Sequence, residues 1–139
     1  MEWLKSFGIL IGRILLVLIF LRAGIGKIDE FSGTAQYMAS HGIAPYTNFF
    51  LIGAIFCELV GSITVISGYF TRFGAVVLLL FLIPTTFIFH DVFTNPNQDI
   101  WIQFMKNVGI FGGLLVLLSV GAGRFSLDYL FRRGKKRDE

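Results

Sequence analysis

The sequence predicts an all-α integral membrane protein: a four-transmembrane-helix bundle with a short interfacial helix between spans one and two. Two observations of composition and one of pattern predict it. Of 139 residues, 55% are apolar and only 15% charged, against ~25% charged in an ordinary soluble domain. Gly and Phe each occur 16 times, and a high glycine content suits helices that approach closely in lipid. The apolar residues gather into four long runs. So few charges cannot coat a water-facing surface.

Each run justifies one span. The first covers 7–21 and is broken only by Arg13. A signal peptide is the rival reading, but Arg13 would sit inside its apolar region, and Ala23-Gly24-Ile25-Gly26-Lys27 makes a weak cleavage site. The second run, 49–69, contains one charge, Glu58. The third, 73–89, and the fourth, 108–123, contain none, and the fourth extends back to near Trp101. With flanking residues the spans are placed at 5–27, 48–69, 73–91 and 101–122, each near the ~20 residues a spanning helix needs. In hydrocarbon every backbone N–H and C=O must be paired, so a span is a helix or part of a closed barrel. Barrel strands alternate polar and apolar, and 76–83 does not. The whole chain, 1–139, reads as a single membrane domain ending in a basic tail, 124–139.

The connections carry their own signals. The longest, 29–47, contains Gly33, Gly42 and Pro45, and its middle, 34–40, forms the short interfacial helix. Thr71 and Arg72 are the core of a tight turn between spans two and three. The segment 94–99 is turn chemistry. Residues 125–131 read as an interfacial exit. Counting Lys and Arg outside the spans, Lys5, Arg72 and six residues of the tail lie on one side, and Arg22 and Lys27 on the other. The positive-inside rule then puts both termini in the cytoplasm. A basic tail can bind nucleic acid, but one that follows an apolar run is a topology signal, so no nucleic-acid partner is expected. The bilayer is the expected partner, and homo-oligomers remain open.

Arg13, Glu58 and Lys106 need an explanation, because an ionisable group inside a span is costly unless paired or wet. At 1.5 Å per residue, Arg13 lies roughly 9–12 Å from the cytoplasmic end, Glu58 about 15 Å and Lys106 about 20 Å. Glu58 is therefore expected between the two cations near the midplane. Helical spacing supports inward faces: Arg13, Val17, Phe20, Gly24 and Lys27 on span one; Ala54, Glu58, Gly61, Ser62, Val65 and Gly68 on span two; Lys106, Gly109 and Gly113 on span four. Thr86 and His90 share a face of span three, and Pro84 is expected to kink that helix and widen the bundle outward. The expected ligand or quinone pocket, opening outward, comprises Arg13, Lys27, Glu58, Thr86, His90, Lys106 and Asn107, with Asp91 and Gln103 at the same end. The plainer alternative is that Arg13 and Glu58 form a structural ion pair, and that His90 merely faces water at a span end.

Several chemistries are missing. Cys57 is the only cysteine, so no internal disulfide or C-x-x-C redox centre forms. His41 and His90 lack metal-ligand spacing, and no metal is expected. There is no phosphate loop and no nucleophile elbow. What remains is a carboxylate, a lysine and a histidine, able to orient a quinone, a small anion or a proton path. No catalytic residue can be assigned.

Taken in order, Arg13, Phe20-Leu21-Arg22-Ala23-Gly24-Ile25-Gly26-Lys27, Gly42-Ile43-Ala44-Pro45, Glu58-Leu59-Val60-Gly61, Gly68, His90, Lys106-Asn107 and the ending Gly121-Ala122-Gly123-Arg124-Phe125-Ser126-Leu127-Asp128 resemble the DoxX family of small four-helix bacterial membrane proteins (DoxX/DoxD-like), over almost the whole chain. The resemblance implies a quinone-interacting or accessory subunit of a membrane redox or thiol-stress complex, with a soluble or membrane redox partner. A related group includes the membrane subunit of a thiosulfate:quinone oxidoreductase. It does not imply independent enzymatic activity, and any cofactor it implies is a quinone. Two other readings stand beside it. One is a transporter or binding protein for an anion or small metabolite, motivated by Arg13 and Lys106 against one Glu58. The other is a structural anchor for a soluble partner on the basic tail.

Overall fold

The computed structural model describes residues 1–90, 92–94 and 96–135. Asp91 and Asn95, assigned above to the outward polar end and its turn, and Lys136 and Arg137 of the tail lie outside the described residues. All regular structure among the described residues is helical: α1 (Glu2–Asp29), α2 (Phe31–Met38), α3 (Thr47–Ser67), α4 (Thr71–Phe89), α5 (Gln98–Val120) and α6 (Leu127–Lys135). Helices α1, α3, α4 and α5 are each long and apolar enough to cross a membrane. The expected short helix between spans one and two is α2, which runs into an irregular turn, Ala39–Ile43, where Gly42 takes φ +86°.

Helix α3 packs against both α1 and α4, and α4 against α5, while α1 and α5 meet over a smaller area. Val17 and Phe20 of α1, Val65 of α3, Ala75, Leu78, Leu79 and Leu82 of α4, and Leu114 and Leu117 of α5 form the core between them. Small residues set the approach of the helices. A methyl added at Gly61 would meet Leu78 Cγ at 2.6 Å, and one at Gly24 would meet Leu59 Cδ2 at 2.9 Å. Gly74 sits so close to α3 that its Cβ would collide with Thr64 Oγ1. By contrast, Gly8, Gly12 and Gly109 have nothing within 4 Å of such a methyl, so glycine spacing alone did not mark these contacts.

The inward faces read from the sequence hold for α1, where Arg13, Val17, Phe20 and Gly24 are buried, and for α3, where Glu58, Gly61, Ser62 and Val65 are buried. The face of α5 is corrected. Its buried residues are Asn107, Leu114 and Leu117, while Lys106 and Gly109 are exposed. One residue is about 100° of rotation on a helix, so the leucine stripe, not the lysine–glycine stripe, faces the core.

The α3–α4 turn is also displaced from its expected place. It occupies Gly68–Phe70, with Gly68 at φ +71° and Phe70 at φ +52°, and Thr71 already belongs to α4. A residue other than glycine in the left-handed region is uncommon, and Asp128 of α6 holds the turn. Its carboxylate accepts from Phe70 N at 3.1 Å and Thr71 N at 3.4 Å, and its own amide donates to Gly68 O at 2.9 Å. At the other end, Asn97 caps α5 by accepting from Ile100 N at 2.9 Å. Helix α4 continues through Pro84. The Thr85 and Thr86 hydroxyls next to it donate to Phe81 O and Leu82 O, each at 2.7 Å.

Candidate functional site

The last turns of α1 and the middle of α3 bring Lys27 against Glu58. Lys27 Nζ lies 2.9 Å from Glu58 Oε1 and 2.8 Å from Oε2. The Glu58 side chain is only 4% exposed and that of Lys27 is 23% exposed. The carboxylate is thus shielded, and the ammonium stands between it and open space. An ammonium has three donors; two go to the two carboxylate oxygens, and no acceptor takes the third among the described residues.

That open space is a cleft of about 990 Å3 in the loop-end half of the bundle, walled by α1, α2, the Ala39–Ile43 turn, α3 and α4. On α3 its wall includes the small residues Gly53, Ala54 and Cys57, beside Phe49 and Phe50. Tyr37, Met38, Phe49, Phe50, Phe81, Ile88 and Phe89 supply most of its wall, and Pro84 and Thr85 belong to it. Tyr37 stacks on Phe89 with ring centroids 5.5 Å apart, and His41 lies 5.3 Å from the same ring, so α2 and its turn are tied to the end of α4 by aromatic contacts. Besides Lys27, the charged or polar residues of the wall are Arg22, Glu30, Thr34, Thr85 and His90, with the hydroxyl of Tyr37.

The residues expected to form one pocket divide among four places. Lys27 and His90 line the cleft, and Glu58 reaches it through Lys27. Thr86 and Asn107 are both buried and bond to each other between α4 and α5, with Asn107 Nδ2 donating to Thr86 Oγ1 at 2.9 Å. Lys106 is exposed and bonds to Gln103, one turn back on its own helix. It does not approach Glu58 from inside the bundle, because α5 is rotated away from the expected face.

Arg13 is the second departure. It is 2% exposed, yet its partners are carbonyls: Nη1 donates to Ala122 O at 2.7 Å and Nη2 to Phe125 O at 2.5 Å. The expected Arg13–Glu58 pair is therefore replaced by a clasp on the chain leaving α5, at the opposite end of the bundle from the cleft. Gly68 makes room for it, since a methyl there would lie 2.5 Å from Arg13 Nη1. The sequence reading missed Arg22, Glu30, Tyr37, Phe49, Phe50, Gly53 and Cys57 as wall residues. The signal for the α3 part was present in Gly53, Ala54 and Cys57, whose spacing puts three small residues on one stripe beside Glu58.

Comparison with known proteins agrees with this architecture. The DoxX family model matches residues 8–91. The chain is 36% identical over 133 residues to inner membrane protein YqjF of Escherichia coli K12, covering 96% of this chain and 98% of that protein. It is 40% identical over 126 residues to inner membrane protein YphA of the same organism, covering 86% and 87%. A shorter likeness, 33% over 69 residues, links it to the Surfeit locus protein 4 homolog of Schizosaccharomyces pombe, covering 46% of this chain and 23% of that one. No solved structure matches it significantly. With a family model matching more than half of its length, and two relatives aligned almost end to end, the chain is an integral membrane protein of the DoxX family.

Proposed function

We propose that this DoxX-family protein binds a quinone-class molecule in the loop-end cleft and serves as a quinone-interacting or accessory subunit of a redox complex in the bacterial inner membrane, with both termini cytoplasmic. The observation that carries this reading is a shielded lysine–glutamate pair at the wall of a large, mostly aromatic and aliphatic cleft. A quinone has a flat ring, carbonyl acceptors and an apolar tail. The unclaimed donor of Lys27 suits a carbonyl, the rings of Tyr37 and Phe89 suit a flat head group, and Phe49 and Phe50 suit a tail. Ligand pockets of this kind are largely apolar with a few placed polar groups.

The anion reading loses its motive. Arg13 and Lys106 do not line the cleft, and the charges that do, Arg22 and Lys27, are matched by Glu30 and the Glu58 behind Lys27. The single Cys57 also argues against dithiol exchange within one chain, which favours an accessory role over independent enzymatic activity.

The test is quinone binding by the purified chain in lipid nanodiscs, with Gly53→Phe as the blocking variant. Nothing lies within 4 Å of a methyl added at Gly53, and Gly53 borders the cleft, so a larger side chain there starts from open space at the cleft wall. Gly53→Phe is expected to weaken binding by about tenfold or more, equivalent to ~1.4 kcal/mol, with an unchanged unfolding midpoint. Wild-type protein that binds no quinone, or Gly53→Phe protein that binds as well as wild type, defeats the proposal.

A further inference from the structure

We infer that the opposite end of the bundle carries a second site, in which Arg72 and Arg132 hold the phosphate of an anionic phospholipid headgroup. A cavity of about 170 Å3 lies where the start of α4, the end of α5 and α6 meet, and its wall includes Thr71, Arg72, Gly121, Asp128 and Arg132. At ~30 Å3 per water molecule, it has room for a tetrahedral oxyanion.

The charges of this cavity are not balanced from within. Asp128 is its one carboxylate, and both oxygens are engaged by the amides of Phe70 and Thr71. Arg72 makes one long bond, from Nη2 to Ser119 O at 3.3 Å. A guanidinium has five N–H donors, so most of its capacity is unused. Arg132 is exposed and has no carboxylate partner among the described residues. A separate observation comes from Thr71, which is 1% exposed and whose hydroxyl has no hydrogen-bond partner. A buried polar group left in this state is uncommon and asks for an explanation. Guanidinium groups match phosphate by paired N–H bonds.

The membrane supplies the phosphate. Helix α6 leaves Leu130 and Phe131 61% and 64% exposed, directly before Arg132 and Arg133. Such a helix lies in the interface with its apolar residues at the acyl boundary and its arginines at headgroup level. The contact between Phe131 and Tyr69, with ring centroids 5.7 Å apart, ties α6 to the α3–α4 turn at that depth. The cavity therefore opens among lipid phosphates, and the arginines select a headgroup without its own cation.

The test is native mass spectrometry of the full chain in detergent, titrated with phosphatidylglycerol and, separately, phosphatidylcholine. The expected result is preferential retention of phosphatidylglycerol, weakened about tenfold by Arg132→Gln, as loss of a charged hydrogen bond predicts. Lys5→Gln removes the same charge from an exposed residue elsewhere at this end and is expected to leave retention unchanged. Arg132→Gln is chosen because Arg72 also bonds the α5 backbone, so its loss would mix folding with binding. No preference between the lipids, wild-type retention by Arg132→Gln, or an equal loss with Lys5→Gln overturns the proposal. Displacement of the lipid by millimolar inorganic phosphate would assign the site to free phosphate and overturn it as a lipid site.

Discussion

The two ends of the bundle each hold a basic residue of α1, and they do so by opposite means: Arg13 is buried, whereas the Lys27 side chain is 23% exposed. At the terminal end, Arg13 is clasped by two carbonyls, with Gly68 close against its guanidinium. At the loop end, Lys27 meets a carboxylate from another helix and borders a cleft of about 990 Å3. The first arrangement uses a fixed, planar donor to stop a helix end. The second keeps a donor available beside empty volume. The difference separates an architectural charge from one that a ligand can address.

Four substitutions sharpen or break that contrast. Arg13→Met should have the largest effect on stability. It strands the carbonyls of Ala122 and Phe125, and two hydrogen bonds from a charged donor are worth about 4 kcal/mol together. Denaturant unfolding in a bilayer or micelle should show this loss, and quinone affinity among the molecules that still fold should be unchanged. A normal unfolding curve would mean that the clasp is not structural.

Next comes Lys27→Met, expected to cost about 3 kcal/mol because it leaves Glu58 shielded and without its partner. Glu58→Gln should cost less, about 1 kcal/mol, since Lys27 can turn toward the cleft. Combining Lys27→Met with Glu58→Gln should recover part of the loss seen in Lys27→Met alone. Additive losses would show that the pair is not coupled. Both single variants should weaken quinone binding, which Arg13→Met should not.

The smallest effect is expected at Asn107, between the two ends. Asn107→Leu removes its bond to Thr86, and interhelical hydrogen bonds of neutral side chains in membranes average about 0.6 kcal/mol. A loss several times larger would place Asn107 with the charged residues as a determinant of helix packing.

Much of the bundle could be read from the residues. The four spans followed from run length, and the inner faces of α1 and α3 followed from the recurrence of small, polar and charged residues every three to four positions. The face of α5 misled because its glycines and Lys106 share a stripe, whereas Leu114 and Leu117 mark the buried one. Leucine is equally at home against lipid and against another helix, so an apolar stripe in a membrane helix does not announce which way it faces. The Asp128 cap on the α3–α4 turn was likewise invisible, since it joins residues 57 and 58 positions apart.

The sequence by itself determined that this chain lives in a bilayer as four helices and that Glu58 needs a cation, because hydrocarbon tolerates neither unpaired backbone nor an isolated charge. Which cation answers it was decided only by tertiary structure. Rise per residue gives the depth of a side chain but not its azimuth. It therefore could not choose Lys27 over Arg13 or Lys106, and carbonyls such as those of Ala122 and Phe125, present on every residue, leave no mark in the sequence as partners for Arg13.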